Sequence, residues 1–244
     1  MDSRRAFVID EEALAAHELR DDVNGVTATG YDAASRRVFL ARRADSDGGP
    51  GSSGTEVLAV GVDDYLRGEL AGARRYPVAA ISGATEIHVD AAAPERLYLR
   101  GGTWSRAIVE LDLGSGASRT VDVPTGVSGL AIDARHGRAY VTNGVRGSVL
   151  AIDLERFAVE RETWVSGLPG PIAALPAVRG VAVGTRAGGE LVVLDEADLG
   201  LRARLLTCAE RDPLVRLGEA ILMGKARDLD WDDRGRSVFF ADGC

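Results

Sequence analysis

Cysteine is nearly absent from this sequence: there are two in 244 residues, Cys208 in the context LLTCAE and Cys244 in ADGC. That is too few for a disulfide framework, and neither context has metal-ligand spacing. One bond tying the C-terminal segment to what precedes it stays open, and would require an oxidising compartment. Lysine is scarcer still. Lys225 stands alone, so arginine carries the positive charge, and the net charge is −8. An acidic balance argues against nucleic acid as a partner. Long apolar runs are also missing. No stretch approaches the roughly 18 residues of a membrane span. The N-terminal MDSRRAFVIDEEALAAHEL has a charged start without the continuous apolar centre of a signal peptide. The expected location is cytoplasmic, or secreted or periplasmic if a leader has been removed.

What the sequence does contain is a repeat. A short apolar strand ending in Asp, a turn with Arg or Gly and a second apolar strand recur: Tyr31-Asp32 leads to RVFLAR, Val89-Asp90 to RLYLRG, Ile132-Asp133 to RAYVTN, and Trp231-Asp232 to RSVFFAD. The fourth copy in chain order, LPAVRGVAVGT, has Pro176 in place of Asp. Positions 32, 90, 133, 176 and 232 are separated by 58, 43, 43 and 56 residues, a basic period of 43 with two enlarged copies. A second register agrees with the first. IVELD, VLAID and LVVLD end in Asp112, Asp153 and Asp195, 41 and 42 residues apart. A period in the forties made of strands throughout predicts an all-β fold, a β-propeller of four-stranded antiparallel blades. The length suits a single domain over residues 1–244.

The two ends of the chain complement each other. AFVID at 6–10 matches a third strand with nothing before it, while KARDLDWDDRGRSVFFADGC supplies a first and a second strand with nothing after. Pairing residues 6–22 alongside 236–242 makes one composite blade, five blades in all, and leaves no free sheet edge. The extra residues mark connections: ADSDGGPGSSG at 44–54 reads as a loop between a second and a third strand, and 208–223 suits a short helix as well as it suits a loop.

Ala139-Tyr140-Val141-Thr142-Asn143, followed by SVLAIDL at 148–154, resembles the YVTN-type β-propeller repeat. The other copies carry VFLAR, LYLRG, VAVGT and VFFAD at the equivalent place. The resemblance implies a propeller with repeats near this length, in a family known for ligand and surface binding more than for a shared reaction.

In a propeller the loops entering the innermost strands, and those joining second to third strands, open on one face, the usual binding face. Alignment on the repeat Asp puts Asn24, Glu86, Ser128 and Asp228 at or near the starts of innermost strands, with Arg227 beside the last. The second loop set offers Arg42, Arg43, Trp104, Asn143, Arg186 and Asp242. The expected ligand-binding residues are Asn24, Arg43, Glu86, Trp104, Asn143, Arg186, Arg227 and Asp228. Two readings follow. In the first, the chain is a binding scaffold presenting this face and the channel mouth to a protein or small molecule, with no catalytic residues and no cofactor. In the second it is a metal-dependent hydrolase of the lactonase type. Glu86, Asp228 and Asn24 or Asn143 would then hold Ca²⁺ or Zn²⁺ through oxygen and polarise a lactone or phosphoester. The same groups also cap turns or pair with arginines such as Arg227, which needs no ligand.

The recurring aspartates occur once per blade, so a turn-forming role explains all of them together. Of the three histidines, His17 and His136 have no ligand partner at short spacing. His88 takes a position that is Gly30, Ala131 or Ala174 in other copies, level with Asp230, where the two make either a polar site or a buried pair. GVSGL at 126–130 precedes a strand, and so lacks the strand-to-helix turn that activates a nucleophilic serine. Tyr31 and Trp231 are expected to pack between blades.

Overall fold

Apolar alternation punctuated by Asp and Gly turns yields strands almost throughout. The computed structural model describes residues 7–10, 15–18, 25–44, 54–90, 92–187, 189–206, 226–231 and 238–242, with backbone alone at 7–10, 15–18, 206, 226–231 and 238–242. β1 (Phe7–Asp10) and β2 (Ala15–Glu18) form a hairpin. Four antiparallel four-stranded sheets follow, each a meander in chain order. The first comprises β3 (Val26–Asp32), β4 (Arg37–Arg43), β5 (Thr55–Gly61) and β6 (Arg74–Val78). The second comprises β7 (Ala84–Val89), β8 (Arg96–Gly101), β9 (Ala107–Asp112) and β10 (Ser118–Asp122). The third comprises β11 (Val127–Asp133), β12 (Arg138–Asn143), β13 (Ser148–Asp153) and β14 (Ala158–Trp164). The fourth comprises β15 (Pro169–Leu175), β16 (Gly180–Thr185), β17 (Glu190–Asp195) and β18 (Leu201–Leu206). A second hairpin, β19 (Ala226–Trp231) with β20 (Val238–Asp242), ends the series.

The four whole repeats are therefore the four sheets, and the two terminal halves are hairpins, each in a two-stranded sheet of its own. The first enlarged repeat holds the expected 44–54 connection, closed where the Ala44 N–H donates to the Gly54 carbonyl at 3.0 Å. It also holds a helix the sequence did not announce, α1 (Val62–Leu66), pinned by Tyr65 packing on Leu40, Leu58, Val60 and Leu70. The second enlargement, with the 208–223 segment and both cysteines, lies outside the described residues.

The aspartates do form turns. Asp32 accepts from the amides of Ala34 and Ser35, Asp90 from those of Ala92 and Ala93, and Asp133 from that of His136. In the second register Asp112, Asp153 and Asp195 accept from Ser115, Arg156 and Ala197. These bonds hold all three carboxyls below the ordinary aspartate range, with Arg202 adding to the effect at Asp195.

The chain divides into two compact units, residues 1–102 with 107–120, and 103–106 with 121–244. In the first, β3 packs on β7, and Phe39, Val57, Tyr76, Ile87, Leu99 and Val109 belong to its core. A Cβ on Gly30 would meet Ile87 Cγ2 at 2.9 Å, so the close approach of the two strands needs glycine there. The period-two alternation that turns Gly30 toward Ile87 turns Tyr31 away, and Tyr31 is 56% exposed instead of packed between sheets as expected. In the second unit β11 packs on β15, and Tyr140, Val149, Val181, Val183 and Leu194 belong to its core, while the backbone of β15 also runs beside that of β19. Here a Cβ on Gly129 would meet the Gly170 carbonyl oxygen at 2.7 Å.

Candidate functional site

The first strand of each four-stranded sheet, and of the C-terminal hairpin, opens with an irregularity near its start. The register slips between Val26 and Ala28, Ala84 and Glu86, Val127 and Gly129, Pro169 and Ile172, and Ala226 and Asp228. Such bulges re-aim side chains at the rims of sheets. The inserted residues Thr27, Thr85 and Ser128 turn their hydroxyls onto carbonyls: Thr85 onto Gly101 at 2.9 Å, and Ser128 across to Pro169 of the next sheet at 2.7 Å. Glu86 and Asp228 sit directly after their bulges, in equivalent register, as the alignment expected.

In the first unit, Glu86 takes a 2.5 Å hydrogen bond from Arg100 Nη2, and its other oxygen is 3.6 Å from His88 Nε2. Burial alone would raise the Glu86 pKa, but His88 and Arg100 outweigh it and hold the carboxyl below its ordinary value. Glu86 is thus a charged partner within its own sheet. His88 is one-third exposed and lies 3.6 Å from Glu86, while the side chain of Asp230 lies outside what the structure describes. Arg43, exposed at the end of β4, reaches over Gly83 in the turn that enters β7.

In the second unit, Asn143 is fully buried. Its Nδ2 donates to the carbonyls of Pro124 and Thr125 at 3.2 and 3.0 Å, and its Oδ1 accepts from the Arg146 amide at 2.8 Å, so the amide closes turns. Trp104 is 79% exposed. Arg186 is exposed, and its stem lies over Gly170. Arg227 and Asp228 are described by backbone alone, and Asn24 lies outside the described residues.

The loops at this end of the second unit enclose an open groove of about 610 Å³, lined by Val145, Arg146, Gly147, Trp164, Val165, Ser166, Gly167, Leu168 and Ala187. Three connections build it, tied by backbone hydrogen bonds from Val165 to Gly147, Ala187 to Gly167 and Arg186 to Leu168. Its walls are largely apolar, and Val145, Trp164 and Leu168 are 65%, 77% and 40% exposed. Of the expected residues, Arg186 adjoins the groove through Ala187, and Asn143 holds the turn that carries Val145. The sequence reading missed Trp164, which ends a strand whose other residues are polar or exposed and so gave no periodic signal.

At the opposite end of the same sheets is a cluster of charge. His136 Nδ1 lies 2.9 Å from Asp133 Oδ2 and 3.2 Å from Glu196 Oε2. Arg138 stands 3.7 Å from Glu196 Oε1, and Arg179 stands 3.7 Å from Glu196 Oε2. Beneath them the fully buried Tyr140 has its hydroxyl pKa raised by burial and by the charges of Glu196 and Asp133, against the opposing charge of Arg138. Glu196 is the surprise. It directly follows the repeat Asp195, where two of the other copies have the buried Leu113 and Leu154. The backbone place is the same in all three, the amides of Leu113, Leu154 and Glu196 each donating into the first turn of their own sheet.

No family model matches the chain, and no curated protein matches it. Among solved structures it is similar to hydrazine synthase of Kuenenia stuttgartiensis, with a TM-score of 0.53 and 16% identity over 65% of this chain and 41% of that one. It is similar to two structures of AztD from Citrobacter koseri, one of the apo protein, each with a TM-score of 0.53 and 16% identity. These cover 75% and 77% of this chain and 47% and 48% of theirs, so the chain spans less than half the length of each structure. At that identity the likeness concerns the fold, and it is consistent with a propeller scaffold. No helix among the described residues is long and apolar enough to cross a membrane.

Proposed function

We propose that the chain is a β-propeller binding scaffold of the YVTN-repeat kind, its two terminal hairpins combining in a fifth blade, and that it presents the bulged loop end of its sheets to a ligand. The observation that carries this is the apolar groove of the second unit, where Val145, Trp164 and Leu168 stay exposed beside Arg146. Exposed apolar side chains gathered round a concavity mark binding surfaces. The occupant is an apolar small molecule or an apolar segment of a protein, and an acidic group on it would suit Arg146 and Arg186. The reading needs no reaction: Glu86 is committed to Arg100 and Asn143 to its turns.

Anilinonaphthalene sulfonate, an apolar fluorophore with one negative charge, tests it. The folded chain is expected to bind one equivalent with enhanced emission, and the double substitution Trp164→Ala and Leu168→Ser to lose that binding while keeping its circular dichroism. Unchanged binding in the double variant would remove the groove from the proposal.

A further inference from the structure

The charge cluster at the other end of the second unit poses a separate question. Its two carboxylates are almost sealed, the Asp133 and Glu196 side chains being 1% and 3% exposed, while His136 is 28% exposed and leaves an approach from its side. Glu196 occupies a backbone place that two of its repeat counterparts fill with buried leucine and the third with Val62. A carboxylate there loses hydration that leucine never needs, so something must recompense it.

The protein groups present do so only in part. Glu196 Oε2 is buried with no hydrogen-bond partner, and the Tyr140 hydroxyl, also buried, has the Arg138 side chain nearby but no hydrogen bond of ordinary geometry. Both arginines stand beyond hydrogen-bond distance of the Glu196 carboxylate, and Arg179 is 70% exposed. A proton on His136 Nδ1 points in one direction and serves one carboxylate, Asp133 at 2.9 Å, leaving Glu196 Oε2 orphaned. Tyr140 is close enough to the cluster to feel the charges of Glu196 and Asp133. Its counterpart Tyr98, fully buried at the same strand position, donates its hydroxyl to Asp90, the counterpart of Asp133, at 3.3 Å. A sealed carboxylate oxygen left unsatisfied calls for a partner that is not a side chain.

One ion supplies that partner. The three ligand atoms Asp133 Oδ2, His136 Nδ1 and Glu196 Oε2 lie within 4.8 Å of one another. Bonds of about 2.1 Å from a four-coordinate cation place its ligand atoms roughly 3 to 3.5 Å apart, close to the two separations from Nδ1. We propose that Asp133, His136 and Glu196 form a binding site for a divalent first-row transition metal ion, of which zinc is the natural probe. An imidazole nitrogen with two carboxylates selects such an ion over calcium or magnesium, which take oxygen. Three protein ligands leave a further position for water. The bound ion would pin the β11–β12 turn of one sheet to the β17–β18 turn of the next.

The experiment uses the full chain stripped of metal with a chelator, titrated with Zn²⁺ by calorimetry and with Co²⁺ by visible absorption. The expected result is one equivalent bound, a raised melting temperature, and cobalt bands showing nitrogen and oxygen ligation. In His136→Ala and in the near-isosteric Glu196→Gln, affinity is expected to fall by about 100-fold or more, with near-ultraviolet circular dichroism unchanged in at least one of them. His17, His88, Cys208 and Cys244 remain in both variants, so the loss reports this cluster alone. Absence of binding by the wild-type chain overturns the proposal, as does undiminished binding by a folded variant.

Discussion

The two ends of the second unit's sheets invert the usual rule of burial in opposite senses. At the groove end large apolar side chains stand in solvent, Trp164 at 77% and Val145 at 65% exposure. At the cluster end two carboxylates are nearly sealed, at 1% and 3%. Between them lies ordinary close-packed core, with Val149, Val181 and Val183 fully buried. Strand alternation dictates which face a side chain takes only while the strand lasts. Turns are released from it, so the departures that mark function gather where strands end.

Four measurements sharpen or break this contrast. The largest effect is expected where the two sheets meet. Gly129→Val drives a side chain into the Gly170 carbonyl, and should cost about 1–3 kcal/mol in urea unfolding by the usual scale of overpacking. A silent substitution there would mean that β11 and β15 do not meet as closely as described. Next is the cluster end in the absence of metal. Asp133→Ala removes the acceptor of the His136 amide and imidazole, and is expected to destabilise by about 1–2 kcal/mol.

A smaller effect should follow pH. Asp153 and Asp195 have carboxyl pKa values depressed in the folded state, so their contribution is present above the ordinary aspartate range and is lost as pH falls through the lowered values. The melting temperature should therefore decline on acidification below that range, and Asp195→Asn should flatten part of the decline. A variant with the wild-type slope would separate Asp195 from the effect. The smallest change is expected at the groove. Trp164→Ala should alter stability by no more than about 0.5 kcal/mol, because so little of the ring is buried, while weakening fluorophore binding. A large loss of stability would make Trp164 a core residue and end the contrast.

The repeat was legible because each sheet is one meander and most of its turns carry the same Asp; the β15–β16 turn does without one, Leu175 standing at the place of Asp133 and Pro176 following it. Two registers, at 32, 90 and 133 and at 112, 153 and 195, mark the turns at the ends of first and third strands, and the structure places turns there. α1 escaped because five residues are too few to show a helical period, and its fixing contact, Tyr65 on Leu40 and Leu70, is tertiary. Tyr31 was misjudged because a large residue beside the repeat Asp looks alike on either face of a strand. His136 does have a partner at short spacing, Asp133 three residues back, which the once-per-sheet pattern presents only as a turn former, and its second partner, Glu196, is 60 positions away along the chain.

By itself, then, the sequence determined the strands, their turns and their grouping in fours, since these rest on local alternation and on hydrogen bonds that amides two or three residues ahead donate to an Asp. Tertiary structure alone decided which turns meet: that Asp133 and His136 face Glu196, and that the connections carrying Val145, Trp164 and Ala187 share one groove. The physical reason is that a meander repeats its local geometry in every sheet, whereas neighbours across sheets depend on how closely the first strands of those sheets approach. That approach is settled by packing, at places such as Gly129 against Gly170.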